Sequence, residues 1–268
     1  MAFTNFDNYI AALPATIMPW SKVTSATGAT NTWIGTWAQP GVPGAGSLSI
    51  GNTTTGVIPT SATAGAWVLP TPGGGQHLYF AQFHAHSLTG VAGIIAIYDR
   101  LWHAGSFAMS SASISLSPTA LTRETGGLGV EAWLEMNTAS STSTNVTLSY
   151  TNTAGTAGQS TAALALTSSI KTNFLVPFTL ASGDMGVKSI QSITLSNTTN
   201  TGTFNLILMR RLTFFSFTQA TNLCNGGGFD PFDTGLALID PNACLTINFI
   251  STGSGSVTLL GTYGMVTA

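Results

Sequence analysis

The sequence predicts an all-β protein, specifically a jelly-roll-like β-sandwich with a short N-terminal helix. Many short segments are rich in β-branched and aromatic residues and alternate between apolar and polar side chains, as half-buried strands do. Clusters of Gly, Ser, Thr and Asn separate these segments at short intervals, and such clusters are typical of turns. Long excursions between some of the strands favour a jelly roll over a simple meander.

The helix is predicted at the start of the chain, where apolar residues recur at helical spacing. Phe3, Phe6, Ile10 and Leu13 fall on one face of such a helix, and Pro14 ends it. We expect this short amphipathic helix to dock on the body of the protein or on a neighbouring subunit.

The predicted strands follow in order after an irregular connector. The segment 93–102 is almost continuously apolar, which is typical of an interior strand that is covered on both faces. In the segment 129–136, Glu131, Trp133 and Glu135 alternate with apolar residues and should share one face of their strand. Strands are predicted at 32–38, 48–58, 66–69, 76–86, 93–102, 129–136, 144–151, 173–180, 188–196, 203–212, 236–239, 244–250 and 256–263.

The composition does not shift in a way that would divide the chain into two folded domains. A chain of 268 residues is long enough to bury a core of its own without an outside staple. We therefore predict an N-terminal arm at 1–30, made of the helix and its connector, and a single β-sandwich domain at 31–268.

The chain is poor in charge. Charged residues make up 6% of it, against about 25% in a typical soluble domain, and the formal net charge is −2. The seven scattered Lys and Arg residues do not form the basic surface that binds a phosphate backbone, so direct nucleic-acid binding is not expected. A neutral surface of hydroxyls and amides suits a protein that is largely covered by its neighbours.

No membrane span and no secretory signal are expected. The uncharged run between Lys22 and Asp99 is interrupted by prolines and a Gly triplet, which a membrane helix would not tolerate in this number. A secretory signal begins with a basic stretch, whereas the start of this chain carries an acidic residue and no basic stretch. This difference favours synthesis in the cytoplasm.

Six charged residues arrive together in the middle of this chain. Burying an isolated ion costs several kcal/mol, so the cluster has to be solvated or paired. We interpret it as a girdle of ion pairs in the β-sandwich, in which Arg100 and Arg123 pair with the carboxylates. The girdle comprises Asp99, Arg100, Arg123, Glu124, Glu131 and Glu135.

The carboxylates of the girdle also raise the question of catalysis. Glu131 and Glu135 lie about 13 Å apart along one strand face, whereas a glycosidase pair requires about 5 to 9.5 Å. Asp99 can approach either glutamate only across strands, which the sequence does not show. The chain contains neither a G-x-S-x-G elbow nor a P-loop, and we expect no enzymatic activity.

Two further groups of residues have the chemistry of metal ligands. His84 and His86 lie two residues apart on a predicted strand, so both rings point to one face, as in a zinc or iron site. No carboxylate follows nearby, and we interpret the pair as polar residues at a sheet edge or subunit contact. Asp230, Asp233 and Asp240 lack the spacing of a calcium loop and are interpreted as turn residues. We therefore expect neither a metal ion nor a cofactor.

Cys224 and Cys244 flank a stretch that is rich in Gly and Pro. Two interpretations remain open. The thiols are reduced and partly buried, or they form a disulfide that closes the stretch if the protein matures outside a reducing cytosol. A metal site made of two cysteines without further ligands is not expected.

The six tryptophans suggest contact surfaces. Trp is among the residues most enriched at the centres of protein interfaces. Exposed Trp on a β-sandwich also stacks on sugar rings, as in carbohydrate-binding modules. The sequence does not separate these two roles from a place in the core. The tryptophans are Trp20, Trp33, Trp37, Trp67, Trp102 and Trp133.

Several central motifs resemble a group of tailed-bacteriophage virion proteins. The similar region runs from Tyr79 to Leu212, and the resemblance rests on pattern and order rather than on a catalytic signature. No functional residues transfer from it. The motifs are YDRLWHAG, GVEAWLEM, SYTNTAGTAGQST, GVKSIQSITLS and LILMRRL.

The resemblance implies a structural role in the virion, as a capsid decoration (cement) protein that bridges and stabilises capsomers. It further implies the major capsid protein as partner, a homo-trimer, and a place on the capsid surface after synthesis in the host cytoplasm. A tail or baseplate component and a carbohydrate-binding module are the alternatives. The candidate contact residues, to which we add the loops near Gly41 and Gly73, are Phe3, Phe6, Ile10, Trp20, Trp102 and Trp133.

Overall fold

The protein is all-β, as the sequence predicts. In the computed structural model, the described residues form seventeen strands and no helix. They comprise residues 17–24, 31–88, 92–168, 170–217, 227–229, 238–253 and 256–267. The strands are β1 (Ile17–Thr24), β2 (Trp33–Gly35), β3 (Gly41–Val42), β4 (Leu78–Ser87), β5 (Gly93–Ala108), β6 (Ser113–Ser115), β7 (Val130–Thr138), β8 (Thr144–Asn152), β9 (Gln159–Ser160), β10 (Leu164–Leu166), β11 (Phe174–Pro177), β12 (Val187–Leu195), β13 (Thr203–Phe217), β14 (Gly227–Phe229), β15 (Leu238–Ile239), β16 (Leu245–Ser251) and β17 (Val257–Thr267).

Six antiparallel strands close into a barrel. Their order around it is β11-β2-β16-β5-β13-β7, and β7 pairs again with β11. β5 and β13, with 16 and 15 residues, pair along almost their whole length. The near-continuous apolar composition of β5 follows from this position, because a strand in a barrel wall that is covered outside is buried on both faces.

A second, six-stranded sheet joins the two ends of the described chain, and we refer to it as the terminal sheet. Its strand order is β14-β4-β17-β1-β3, with β15 also paired to β4. β1 pairs with β17 from Ile17–Gly264 to Thr24–Val257. The predicted arm at 1–30 is therefore wrong for Ile17–Thr24, which form a strand of the body. Lys22 at an inward position and Pro19 concealed the strand pattern in the sequence.

The third sheet has the order β10-β8-β12-β6, with β9 also paired to β8. β8 alternates as predicted, with Val146, Leu148 and Tyr150 buried between more exposed residues. Two bulges interrupt its pairing with β12, and bulges of this kind bend and twist a strand locally.

One large hydrophobic core joins all three sheets. Residues of the terminal sheet, the barrel wall and the third sheet belong to it, which is compatible with a jelly-roll-like sandwich. Trp67 contributes from a segment without strand structure, and its ring lies 4.3 Å from that of Tyr263 and 5.8 Å from that of Phe83. The predicted strands at 48–58 and 66–69 do not form, because this segment packs through single anchored side chains instead of a ladder.

The predicted N-terminal helix, with Phe3, Phe6 and Ile10, lies outside the described residues. Within the described ranges, no helix is long and apolar enough to span a membrane.

Candidate functional site

The side chains that fill the barrel form a cluster of their own. They alternate along the strands with residues of the main core, as Trp133 does with Leu134 on β7. Alternate residues of a strand point to opposite faces, so this cluster lies inside the barrel and the main core lies outside it. The face that Glu131, Trp133 and Glu135 share is therefore the barrel interior. The cluster consists of Ala96, Tyr98, Trp133, Leu175, Ile207 and Met209, with Trp33 packed against it.

A buried ion pair lies inside the barrel. Arg100 Nη2 donates to Glu135 Oε2 at 2.7 Å, and both side chains are buried. The Asn205 amide donates to the same oxygen at 3.3 Å and to the carbonyl oxygen of Leu48 at 2.7 Å. The Arg100 guanidinium lies 4.7 Å from the centre of the Trp37 ring, a cation–π contact. Because Glu135 is committed to Arg100, it is not free to act as a base.

Several polar atoms beside this pair have no hydrogen bond. Arg100 Nε, Asn205 Oδ1 and both ring nitrogens of His103 are buried without a partner of hydrogen-bond geometry in the described part of the chain. The Asn205 amide and the Leu48 carbonyl nevertheless lie close to the His103 ring. Burial, together with the charge of Arg100, lowers the pKa of His103 well below its usual range. The His103 ring is therefore neutral at pH 7.

Asp99 forms a second buried ion pair. Arg123 donates to it through two parallel bonds, Nε to Oδ2 and Nη2 to Oδ1, each 2.9 Å long. Arg123 Nη2 also donates to the carbonyl oxygens of Pro59 at 2.9 Å and Arg100 at 3.0 Å. The Cys244 N–H donates to Asp99 Oδ1 at 2.8 Å. The pair thus joins separate segments of the chain, and its carboxylate has no free oxygen for catalysis.

The remaining two acids of the girdle form ion pairs that are accessible to solvent. Glu124 pairs with Arg210, and Glu131 Oε1 lies 3.8 Å from Arg211 Nη2. All four girdle carboxylates are therefore paired. Arg100 and Arg123 pair with two of them, whereas Arg210 and Arg211, which pair with the other two, come from a strand far along the chain.

A cleft of about 510 Å³ opens beside Glu131. Glu131 Oε2 accepts hydrogen bonds from Trp133 Nε1 at 3.0 Å and from the Tyr98 hydroxyl at 3.3 Å. Asp184, which also lines the cleft, accepts a bond of 2.6 Å from the Tyr150 hydroxyl. Neutral donors thus hold both carboxylates in place, and the cleft has the chemistry of a polar contact surface.

Three predicted contact residues lie in the interior instead. Trp20, Trp102 and Trp133 are 2%, 0% and 2% exposed. The Trp20 ring stacks on Phe83 at 5.3 Å, and Trp102 Nε1 donates to the carbonyl oxygen of Thr55 at 2.9 Å. Side chains with so little accessible area cannot contact another subunit, so their assignment to an interface does not hold. Their large apolar rings serve the core, and their indole N–H groups find partners there.

Several residues singled out in the sequence lie outside the described ranges. The contact role of Phe3, Phe6 and Ile10 stays a prediction, and so does the oxidation state of Cys224. Cys244 is a buried thiol, and burial raises its pKa to about 12, which makes it unreactive. The residues outside are Phe3, Phe6, Ile10, Cys224, Asp230 and Asp233.

His84 and His86 lie on the outer face of the terminal sheet, on one side as their spacing predicts. Phe83 and Ala85, which alternate with them, are buried on the inner face. The described residues contain no group of three or more His, Cys, Asp or Glu side chains placed to hold a metal ion.

The outer face of the terminal sheet is a surface that the sequence did not reveal. Its six described strands contain one charged residue, Lys22, whose side chain is buried on the inner side. The Lys22 ammonium donates to the carbonyl oxygens of Gln39 at 3.1 Å, Pro43 at 2.9 Å and Gly44 at 3.3 Å. Burial lowers the pKa of Lys22 to about 8. The outer face formed by these strands therefore carries no Asp, Glu, Lys or Arg side chain.

Apolar side chains are exposed on this uncharged face and at its margin. Cross-strand partners form a row across it, in which Val42 pairs with Ser21, Ser21 with Leu260 and Leu260 with His86. Exposed apolar area next to neutral polar groups marks a site of protein interaction. Four of its apolar side chains are between 44% and 58% exposed: Ile17, Val23, Val42 and Leu88.

Of the six tryptophans, Trp33 is the one that is partly accessible. It lines a cleft of about 370 Å³ together with Asn31, Thr32 and Lys171. Its ring meets Trp133 edge-on, with 5.8 Å between the ring centres. An aromatic wall beside amide, hydroxyl and ammonium groups has the chemistry of a sugar-binding cleft.

No protein-family profile matches the chain, and the search of curated proteins gave no match. Among solved structures, the chain is 11% identical to the infectious bursal disease virus VP2 subviral particle, covering 94% of this chain and 80% of that one, with a TM-score of 0.19. The infectious bursal disease virus Gx strain structure is 9% identical, with coverage of 94% and 81% and a TM-score of 0.21. At TM-scores this low, the likeness carries no weight for fold or role, and the functional conclusion rests on the residues.

Proposed function

We propose that the protein is a structural component of a tailed-phage virion, a capsid decoration protein whose terminal sheet lies against the assembled capsid. The uncharged outer face of that sheet carries the proposal. Covering exposed apolar side chains is favourable, and a face without ions incurs no cost for desolvating charge when another protein covers it. The phage motifs around YDRLWHAG and GVEAWLEM support the same role.

The mechanism is mass action on the assembled lattice. A protein that binds neighbouring copies of the major capsid protein only after assembly shifts the equilibrium toward the intact particle. A stable contact of this kind buries at least about 1,000 Å² in total. The paired carboxylates inside the body fit a role that requires a rigid shape and no reactive group. The protein is then located on the capsid surface after synthesis in the host cytoplasm.

A charge placed on the terminal sheet should prevent particle incorporation. In Ile17→Glu, a carboxylate would have to lose its water on docking, and we expect copies per particle to fall at least about tenfold. Quantitative mass spectrometry of purified particles measures this number. Val68→Glu is the matched control. Val68 is 66% exposed, but it does not lie on the outer face, because its carbonyl oxygen accepts a hydrogen bond from Tyr263 on the inner face. Normal incorporation of Ile17→Glu would contradict the proposal.

The role of the N-terminal segment is tested in the same particles. Removing residues 2–16 should reduce incorporation if Phe3, Phe6 and Ile10 contact the capsid. The deletion has to stop before Ile17, because β1 is part of the terminal sheet and its Trp20 lies in the core. The copy number also separates capsid from tail, since a tail or baseplate component is present in few copies per particle.

The cleft at Trp33 favours carbohydrate binding as a second candidate function. The expected result is retention on a glycan array by the parent protein and loss of that retention in Trp33→Ala. Phe214→Ala is the control, because Phe214 is an exposed aromatic residue outside the cleft. A parent protein that binds no glycan would remove this candidate.

A further inference from the structure

Most of the accessible charges of the described chain are concentrated in one place. Eight charged residues of the described chain are accessible to solvent, and three of them, Glu131, Asp184 and Arg211, line the cleft beside Glu131. Three more, Glu124, Lys188 and Arg210, adjoin these, which makes six. We refer to the six as the charged patch. It consists of Glu124, Glu131, Asp184, Lys188, Arg210 and Arg211.

Direct contacts hold this patch together. Glu131, Asp184 and Arg211 line the same cleft, and Arg211 follows directly on Arg210, which pairs with Glu124. Lys188 packs on the turn after Glu124, where a Cβ built on Gly127 would lie 2.8 Å from its Cγ. The six residues therefore belong to one continuous surface, although they come from four separate parts of the chain.

Three exposed apolar side chains lie within the charged patch. Leu128, Met185 and Phe214 are 59%, 68% and 62% exposed. The Gly129 N–H donates to the carbonyl oxygen of Met185 at 3.0 Å, which places Leu128 beside Met185. The Arg211 guanidinium lies 5.5 Å from the centre of the Phe214 ring. Met, Phe and Arg surrounded by a polar rim are the composition of a protein interface.

The charges of the patch balance, because it contains three acidic and three basic side chains. We propose that the charged patch is the contact between two copies of this chain related by a two-fold axis. In such a contact the patch meets itself, so the acids of one copy can face the bases of the other. The described surface offers no second group of accessible charges that could complement the patch.

This contact is separate from the docking face proposed for the capsid. The terminal sheet is uncharged, and none of its strands contributes a residue to the charged patch. The trimer implied by the phage resemblance would require two different surfaces to meet, whereas a two-fold contact requires only the charged patch. The two-fold contact takes its place in our proposal.

Sedimentation velocity of the full chain over a range of concentrations tests the contact. The parent protein should form dimers, and added salt should weaken them because partly exposed ion pairs are screened. Met185→Lys places an extra cation at the centre of the patch and should raise the dimer dissociation constant at least about tenfold. Val68→Lys is the matched control, since Val68 is exposed to nearly the same extent outside the patch, and it should dimerise like the parent.

The outcomes separate clearly. A parent protein that stays monomeric, or one that forms trimers, would overturn the proposal. An equal effect of Met185→Lys and Val68→Lys, or no effect of either, would overturn it as well. Leu128→Lys provides a second variant if Met185→Lys does not fold, and circular dichroism of each variant establishes that it does. Incorporation of Met185→Lys into capsids tests the contact of the terminal sheet separately, because this substitution leaves that sheet unchanged.

Discussion

Replacing Glu135 by leucine should lower the free energy of unfolding by about 3 to 5 kcal/mol. The change leaves the Arg100 guanidinium buried inside the barrel without its carboxylate. The Trp37 ring remains beside Arg100, but a cation–π contact does not offset the loss of an ion pair. Urea denaturation followed by tryptophan fluorescence measures the change.

Two further variants show whether the unpaired charge is the cause. Arg100→Met combined with Glu135→Leu removes both ions and should recover most of the lost stability, because apolar residues of similar volume can replace a buried pair. Arg210→Met breaks the accessible pair with Glu124 and should cost less than about 1 kcal/mol. A Glu135→Leu protein as stable as the parent, or a double variant no better than the single one, would contradict the prediction.

Alkaline pH should unfold the protein. Burial raises the pKa of Cys244 from 9.0 to about 12 and that of Tyr263 from 10.0 to about 12. Burial and the charge of Glu131 also raise the pKa of Tyr98. The unfolded chain loses these protons at lower pH than the folded chain, so the stability they contribute is present below pH 9 and is lost between 9 and about 12. Each group contributes up to about 1.4 kcal/mol per pH unit in its window.

Lys22 acts in the opposite direction. Burial lowers its pKa from 10.5 to about 8, so between these values the unfolded chain holds a proton that the folded chain has lost. Lys22 therefore makes the free energy of unfolding rise with pH in this interval. Because Lys22→Met lacks this contribution, its free energy of unfolding should decline more steeply above pH 9 than that of the parent. Urea denaturation at successive pH values measures both curves. A parent stability that stays constant to about pH 11 would contradict the burial of the thiol and the phenols.

The two proposed surfaces differ in chemistry and therefore in how they respond to conditions. The terminal sheet would bind through apolar and neutral polar groups, so its capsid contact should be insensitive to salt. The charged patch would bind through partly exposed ions, so its contact between copies should weaken as salt is added. Each contact can thus be changed without disturbing the other.

Local patterns in the chain were enough to predict the all-β class, the shared face of Glu131, Trp133 and Glu135, and the need to pair the girdle carboxylates. Side-chain alternation has a period of two in any strand, and a charge in an apolar surrounding requires a partner whatever the fold. The motifs around these residues also suggested a virion protein, and that role remains a proposal.

Other features depend on strands that meet from distant parts of the chain. Alternation shows that a strand has two faces, but it does not show that one of them lines a closed barrel. The pairing of β13 with both β5 and β7 brings Arg211 to Glu131, and the pairing of β1 with β17 makes Ile17–Thr24 a strand of the body. Burial of Trp20 and Trp102 follows from the layers that cover them. These contacts are non-local, and no short stretch of sequence contains both of their partners.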